Sequence, residues 1–200
     1  MASKEREYRN MELRLAPIEE GAEPSFFVEG HAATFDPYVL LTIDDVDYSE
    51  RIEPTAFDGA DLSDVVFRVD HTGPVYARTS AGTVEVWADE TGLAQRTNLG
   101  KTQRARELFA DIEAGNYPKM SFAFSVAEDH YDSATHTRII DRIAKVYDVS
   151  PVSFPANPTT ELSVSTRDYF NGVIEAEKAE RLEREQREQQ KQRLRILSEI

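Results

Sequence analysis

The chain has 200 residues, a formal net charge of −14 at pH 7 and no cysteine. Its length predicts one main domain with a sizeable core, and the lack of cysteine excludes disulfides and thiolate chemistry. Because phosphate binding needs clustered Lys and Arg, the acidic composition argues against nucleic-acid binding. No apolar run is long enough to predict a membrane span, and the charged N-terminal residues lack the apolar segment of a secretory signal.

Composition divides the chain into a short N-terminal segment, a body and a tail. Residues 1–10 are predicted to be disordered, and residues 11–165 have the mixed composition of a globular domain. Residues 166–200 are nearly free of Gly and Pro and rich in Glu, Gln, Lys and Arg. Opposite charges nearly balance in this tail, so most of the negative charge lies on the body.

Short segments rich in β-branched and aromatic residues predict that the body consists mostly of strands. The predicted strands cover, in chain order, residues 26–28, 32–35, 65–69, 75–79, 83–87, 93–97, 120–126 and 137–152. Two of the segments that separate neighbouring strands, Ser80–Gly82 and Asp89–Gly92, have the composition of hairpin turns.

Two further segments are predicted to be helical. In residues 102–114 apolar side chains recur at helical spacing, and Gly115 follows as a stop signal. The tail, roughly Tyr169–Leu197, carries Glu–Arg pairs four residues apart, such as Glu180 and Arg184, which favour a helix. Its apolar residues are too sparse for a sustained coiled-coil repeat.

The histidines do not lie in a pattern that is typical of a metal site. The chain contains four of them, and no His-Glu-x-x-His sequence occurs. The glycines are scattered and do not form a phosphate-binding loop. The sequence therefore predicts neither a metal nor a nucleotide cofactor.

Ser121 and His71 are candidates for nucleophilic catalysis, which needs a hydroxyl, a base, a group that orients the base and donors for the oxyanion. Ser121 lies at the start of the predicted strand 120–126, in the sequence Met-Ser-Phe. His71 follows the predicted strand 65–69, and strand ends commonly carry functional groups. From the residues alone, an ordinary hydrogen-bonded serine and a surface or core histidine remain open as alternatives.

Six segments of the body resemble, in the same order, segments of the tailed-phage prohead protease family, whose members are related to the herpesvirus maturation protease assemblin. They are Phe27–Phe35, Glu50–Phe57, Ala77–Thr83, Asp89–Leu93, Lys119–Phe124 and Val146–Pro158. Asp70 and Thr72 flank His71 where the family commonly has Asn and Asp, and Asp148 stands where Glu is commoner. Glycines of the family pattern are replaced by Thr55, Ala77, Lys119 and Ala123.

The resemblance implies an α+β fold with a mostly antiparallel, partly closed β-barrel and surrounding helices, to which the composition adds a C-terminal helical tail. It also implies a catalytic triad in which Ser121 is the nucleophile, His71 is the base and Asp148 orients the imidazole. The reaction would be acyl transfer to the serine hydroxyl, followed by hydrolysis of the acyl-enzyme.

The third member of the triad has two alternatives. Asp141 is another carboxylate that follows the serine in the chain. His31 would take this place in a Ser-His-His arrangement, as in the related herpesvirus enzymes. The backbone N–H groups of Val149–Asn157 are the expected source of the oxyanion hole.

The implied function is that of a serine endopeptidase, without metal or organic cofactor, that acts during phage capsid maturation. It would cleave itself and either the scaffold protein or the scaffold region of the major capsid protein. These would be its partners inside the immature procapsid, in the host cytoplasm, without nucleic acid or membrane; self-association into a homo-oligomer stays open. The alternatives are a catalytically inactive capsid-assembly or scaffolding protein with the same fold, and an acidic β-rich binding domain with a coiled-coil tail.

Overall fold

Strands make up most of the body in the computed structural model, which describes residues 6–12, 14–15, 25–153 and 164–198. The strands are β1 (Glu7–Glu12), β2 (Arg14–Leu15), β3 (Phe27–Thr34), β4 (Tyr38–Ile43), β5 (Val46–Ile52), β6 (Val66–Val69), β7 (Thr72–Arg78), β8 (Val84–Ala88), β9 (Gly92–Asn98), β10 (Lys119–Asp132) and β11 (Thr137–Val152). The helices are α1 (Gln103–Glu113) and α2 (Val164–Ser198).

The described strands form two sheets. The larger has the order β1-β10-β11-β5-β4, with β6 also paired to β11 and β7 paired to β6. The smaller has the order β2-β3-β9-β8. All pairs are antiparallel except those that β11 makes with β5 and β6. The mixed α+β class, the dominance of antiparallel strands and the C-terminal helix are thereby confirmed, but the pairing of the described strands closes neither sheet into the expected barrel.

The apolar core of the body draws side chains from both sheets and from α1. Phe67 and Phe122 come from the larger sheet, Leu93 from the smaller sheet, and Leu108 from α1. The helix begins where the Thr102 hydroxyl accepts a hydrogen bond from the backbone of the third helical residue, as an N-cap does. The face of α1 that its periodicity predicted to be apolar is the face that it buries.

Two hairpins of the larger sheet have turns of only two residues, and in each turn both residues have positive φ. Asp44 and Asp45, with φ of 51° and 61°, join β4 to β5. Asp70 and His71, with φ of 46° and 55°, join β6 to β7. Positive φ at both positions is the pattern of a type I′ turn, which matches the twist of the flanking strands. Asp and His tolerate this region better than most non-Gly residues.

The turn predictions had different outcomes. Asp89–Gly92 closes the β8–β9 hairpin, in which the Asp89 backbone N–H donates to the carbonyl of Gly92 at 2.9 Å. The prediction of a hairpin turn at Ser80–Gly82 was wrong, because β7 pairs only with β6 and β8 only with β9 among the described strands. This segment instead connects the two sheets through a short 3₁₀ turn that ends at Gly82, where φ is 66°.

The prediction of disorder for residues 1–10 is corrected for the part that the structure describes. Glu7–Glu12 form β1, an edge strand that pairs with β10 along its whole length. Glu7 and Arg9 of this strand are both buried. Besides contacting each other, they pair with Glu50 on β5 and Arg138 on β11, and the local sequence does not show these two partners.

The chain divides into two compact units, residues 1–163 and residues 164–200. The helix α2 begins two residues before the predicted start of the tail at residue 166. Along α2, Arg184 and Arg187 lie 3.5 and 3.4 Å from the Glu residues four positions earlier. Neither helix in the described part of the chain is long and apolar enough to cross a membrane.

Candidate active site

Three parts of the larger sheet bring Ser121, His71 and Asp148 together. Ser121 is the third residue of β10, and Asp148 lies on the neighbouring strand β11. The parallel pairing of β6 with β11 places Val66 beside Asp148. His71 then lies in the turn that follows β6, and from there its ring reaches across β11 towards β10.

The three side chains form a continuous chain of hydrogen bonds. His71 Nδ1 lies 2.6 Å from Asp148 Oδ1, and His71 Nε2 lies 2.7 Å from Ser121 Oγ. Because a carboxylate can only accept, Nδ1 carries the proton and donates it to Asp148, and Nε2 is left as the acceptor for the serine hydroxyl. Ser121 and Asp148 are each 1% exposed, and the His71 side chain is 18% exposed.

This arrangement can activate a hydroxyl as a nucleophile. The neutral nitrogen Nε2 of His71 is within reach of the proton that Ser121 must lose, and the carboxylate of Asp148 can stabilise the imidazolium that results. The burial of Ser121 and Asp148 keeps water away from these hydrogen bonds, which strengthens each of them.

A fourth residue, Ser150, extends the line of hydrogen bonds. It was not predicted from the sequence. Its hydroxyl donates to Asp148 Oδ1 at 2.7 Å, the same oxygen that accepts from His71. Ser150 is completely buried and lies directly opposite Ser121 in the β10–β11 ladder. Asp148 and Ser150 are two residues apart on one strand and therefore share a face, which is the signal that the sequence contained.

The turn that carries His71 is attached to the end of β11 by Asp70. The Asp70 carboxylate accepts from the backbone N–H and from the hydroxyl of Ser153, each at 2.9 Å. The Asp70 backbone N–H donates to the carbonyl of Pro151 at 3.1 Å. These three hydrogen bonds hold a turn with positive φ at both residues, so they help to fix the position from which the imidazole projects.

The alternative third members lie elsewhere. Asp141 Oδ2 is 2.7 Å from Nδ1 of His130, in an exposed pair. His31 Nε2 is 2.8 Å from Asp89 Oδ2, in the smaller sheet. Of the three residues considered for this place, only Asp148 is brought to His71.

The segment expected to form the oxyanion hole, Val149–Asn157, lies only partly within the described residues. In its described part, Pro151 has no N–H, and the N–H of Ser153 is already donated to Asp70. Residues 154–157 lie outside the described part of the chain. The placement of the oxyanion hole therefore stays a prediction.

No group of three or more His, Asp or Glu side chains that could hold a metal ion occurs among the residues that the structure describes. The acidic and imidazole groups near Ser121 form a hydrogen-bonded line and do not converge on one point.

A Ser–His–Asp line of hydrogen bonds on an α+β fold is the arrangement of a serine hydrolase. The family model of the caudovirus prohead serine protease matches residues 12–173, and the chain belongs to this family. This match confirms the resemblance found in the sequence. It covers all three residues of the line.

A search of the curated proteins found no match. Among solved structures, the chain is similar to the bacteriophage T4 capsid assembly protease gp21, with a TM-score of 0.42 and 14% sequence identity. The similarity covers 76% of this chain and 100% of the T4 chain.

Proposed function

We propose that this chain is the maturation endopeptidase of a phage procapsid, with Ser121 as nucleophile, His71 as general base and Asp148 as the carboxylate that orients the base. The observation that carries this proposal is the unbroken line from Asp148 through His71 to Ser121, with distances of 2.6 and 2.7 Å. The line lies within the region that matches the prohead serine protease family. The donor and acceptor roles along it are those that acyl transfer requires.

The reaction would proceed through an acyl-enzyme. Ser121 Oγ attacks the scissile carbonyl carbon while His71 Nε2 takes the hydroxyl proton, and the carbonyl π electrons move to oxygen. When the tetrahedral intermediate collapses, the imidazolium gives this proton to the leaving amine. A water molecule then attacks the acyl-enzyme with His71 again as base, which releases the second product and restores the serine.

The substrates would be the scaffold protein or the scaffold region of the major capsid protein, together with the chain itself. These proteins would be its partners, and the place of action would be the immature procapsid in the host cell. The charged helix α2 would serve as an assembly element that is removed by self-cleavage. Its exposed Glu–Arg pairs support this role, because they keep much of the helix surface charged and open to a partner protein.

Two measurements on the same protein test the proposal. A fluorophosphonate, which transfers its phosphonyl group to an activated serine and releases fluoride, should modify Ser121 alone, as peptide mass spectrometry would show. Co-expression with the capsid and scaffold proteins should yield shortened products. Ser125→Ala is a matched control because Ser125 is a buried serine on the same strand, away from His71.

The inactive capsid-assembly protein is the alternative that these measurements decide. If the wild-type chain is not modified and its partners remain intact, the catalytic proposal is wrong and the assembly function is favoured. If modification occurs at Ser121 without cleavage of the capsid or scaffold proteins, the enzyme class stands and the proposed substrates do not.

A further inference from the structure

The edge strand β1 has two faces with different surroundings. In the antiparallel β1–β10 ladder, Tyr8 lies opposite Ala123, and Arg9 lies opposite Phe122. Directly opposed residues project from the same face of a sheet, and successive residues of a strand project from opposite faces. Tyr8 therefore projects from the face that carries Ser121, while its neighbour Arg9 projects from the other face.

On that other face, Arg9 belongs to a buried set of side chains, here called the charge cluster, which consists of Glu7, Arg9, Glu50 and Arg138. Arg9 donates to both carboxylate oxygens of Glu50, at 2.6 and 2.7 Å, and to Glu7 at 2.9 Å. Arg138 donates to both oxygens of Glu7, at 2.7 and 3.0 Å, and to Glu50 at 3.0 Å. All four side chains are at most 4% exposed.

The charge cluster fixes the register of β1. In this alignment Glu7 and Arg9 meet Glu50 and Arg138, and a slip by one residue would bring Tyr8 to the position of Arg9. Arg138 also donates to the carboxylate of Asp129 at 2.6 Å. The Tyr38 hydroxyl adds a hydrogen bond to Glu50. Burial, together with the negative charge of Glu50, raises the pKa of Tyr38 well above its ordinary value, so this phenol stays a donor.

On the site face, Tyr8 covers the ring of His71. The two ring centroids are 4.5 Å apart, and the ring planes are tilted by 59°. The two ring nitrogens of His71 are already engaged, one by Asp148 and the other by Ser121. The contact with Tyr8 therefore restrains the ring in a direction that these two hydrogen bonds do not, and it places an aromatic ring beside the imidazolium formed during attack.

We propose that β1 completes the active site, with Tyr8 as a positioning residue that holds the His71 imidazole and stabilises its protonated form, and with the charge cluster holding Tyr8 in place. This inference rests on the proposed function. The strand β1 ends at Glu12, where the match to the family begins, so Tyr8 lies outside the matched region.

The first test measures how fast a fluorophosphonate modifies Ser121 at increasing probe concentration. In Tyr8→Leu, which keeps an apolar side chain but loses the aromatic ring, the maximal rate should fall on the order of 3- to 10-fold. The half-saturating concentration should not change, because Tyr8 acts on the base. Tyr8→Phe should restore the rate, since the hydroxyl plays no part. Trp87→Leu removes an exposed aromatic ring from the smaller sheet and is the control.

The second test observes the contact itself, without substrate or probe. With only four histidines in the chain, ¹⁵N-histidine labelling gives few ring signals, and His71→Gln assigns those of His71. The Tyr8 ring current should shift the His71 ring protons upfield. This shift should persist in Tyr8→Phe and disappear in Tyr8→Leu. Arg9→Lys keeps the charge but loses the two-pronged contact with Glu50, and should reduce the shift.

The outcomes separate the two proposals. A wild-type chain whose Ser121 is not modified overturns the proposed function and, with it, the positioning role of Tyr8. If Ser121 of the wild-type chain is modified and the maximal rate of modification is the same in Tyr8→Leu, only the role of Tyr8 is overturned. If Arg9→Lys leaves both the rate and the ring shift at their wild-type values, the charge cluster does not hold Tyr8 in place.

Discussion

The two faces of the larger sheet carry two buried polar networks, and they differ in how their groups are satisfied. The charge cluster joins two guanidinium groups to two carboxylates through six hydrogen bonds. The line of Asp148, His71 and Ser121 has one hydrogen bond between each pair of neighbours. In the first network each guanidinium group contacts more than one carboxylate, whereas the second has a single carboxylate and a base that can change its charge.

The difference shows which kind of buried polar network can perform chemistry. A guanidinium does not lose its proton in proteins, so the charge cluster has no proton to move, and its groups can only hold strands together. An imidazole can take and return a proton near neutral pH. Polar groups on one face of the larger sheet would therefore position the strands, and groups on the other face would act on the substrate.

The largest effect is expected from Ser121→Ala, which should remove the nucleophile while leaving the charge cluster intact. In serine hydrolases, the loss of one triad member lowers kcat on the order of 10⁴–10⁶. Cleavage of co-expressed scaffold should therefore cease while the midpoint of urea unfolding stays near that of the wild type. Cleavage at the wild-type rate in Ser121→Ala would exclude Ser121 as the nucleophile.

The next largest effect is expected from Asp148→Asn, which keeps the shape of the side chain and removes its charge. The rate should fall on the order of 10⁴, because the imidazolium loses its partner and the imidazole loses its orientation. Asp141→Asn is the control and should cleave normally, because Asp141 contacts His130 at an exposed site. If Asp141→Asn is inactive and Asp148→Asn is active in one assay, the third member has been misplaced.

A third prediction concerns the free energy of unfolding and not the cleavage rate. Glu50→Gln leaves Glu7, which Arg138 shares, as the remaining carboxylate partner of the buried Arg9, and should lower the free energy of unfolding by about 3–5 kcal/mol. The exposed Glu128, paired with Arg142, is the control, and Glu128→Gln should cost no more than about 1 kcal/mol. The single tryptophan, Trp87, reports unfolding of the body by fluorescence. Equal losses in the two variants would show that the cluster adds little stability.

Ser150→Ala should have a smaller effect, and that effect should act through Asp148. A hydrogen bond to a charged group contributes about 1.5–3 kcal/mol, so the cleavage rate should fall roughly 10-fold or more. In an Asp148→Asn background, Ser150→Ala should lower the cleavage rate much less, because the carboxylate that Ser150 supports is no longer present. Ser125→Ala is the control. An equal loss in both backgrounds would mean that Ser150 acts independently of Asp148.

The smallest effect is expected in the tail, where ion pairs are exposed on both sides. Glu180→Gln removes one partner of the pair with Arg184, and should change helix stability by only ~0.3–0.5 kcal/mol. Circular dichroism of a peptide that spans α2 measures this change at low and at high salt. A loss as large as that expected for Glu50→Gln would remove the contrast between exposed and buried charge.

Elements with local signals were predicted well from the sequence. The helix α1 has its apolar spacing and a glycine after its end, and the β8–β9 hairpin has Asp and Gly in its turn. The strands β4 and β5 were missed, although the available signal was local. Asp44 and Asp45 stand between two segments rich in β-branched and aromatic residues, where a two-residue turn with positive φ fits.

The strand β1 could not be predicted, for a different physical reason. Its charged residues are buried because Glu50 and Arg138 compensate them, and these partners lie about 40 and 130 residues further along the chain. Hydrophobic periodicity treats such residues as exposed. The contact of Tyr8 with His71 depends on the same long-range pairing, so it was also not predicted.

The site was predicted in part. Ser121 and His71 were candidates from the residues themselves, Asp148 was named from the resemblance, and the structure places the three in contact. Their proximity depends on the parallel pairing of β6 with β11, which no local pattern encodes. The same applies to the choice between Asp148 and Asp141. Both lie on β11, but seven residues of strand separate them by about 23 Å, and only pairing with neighbouring strands decides which one meets His71.

In the turn of Asp70 and His71, the number of residues matters as well as their identity. Val69 and Thr72 are directly paired, so the base stands at a fixed distance from the last rung of its hairpin. One inserted residue would replace the two-residue turn by a longer one and rotate the imidazole away from Ser121, while β6 could stay paired. The exposed turn between β10 and β11 contains none of Ser121, His71 and Asp148, and an insertion there should leave the distance from His71 to Ser121 unchanged.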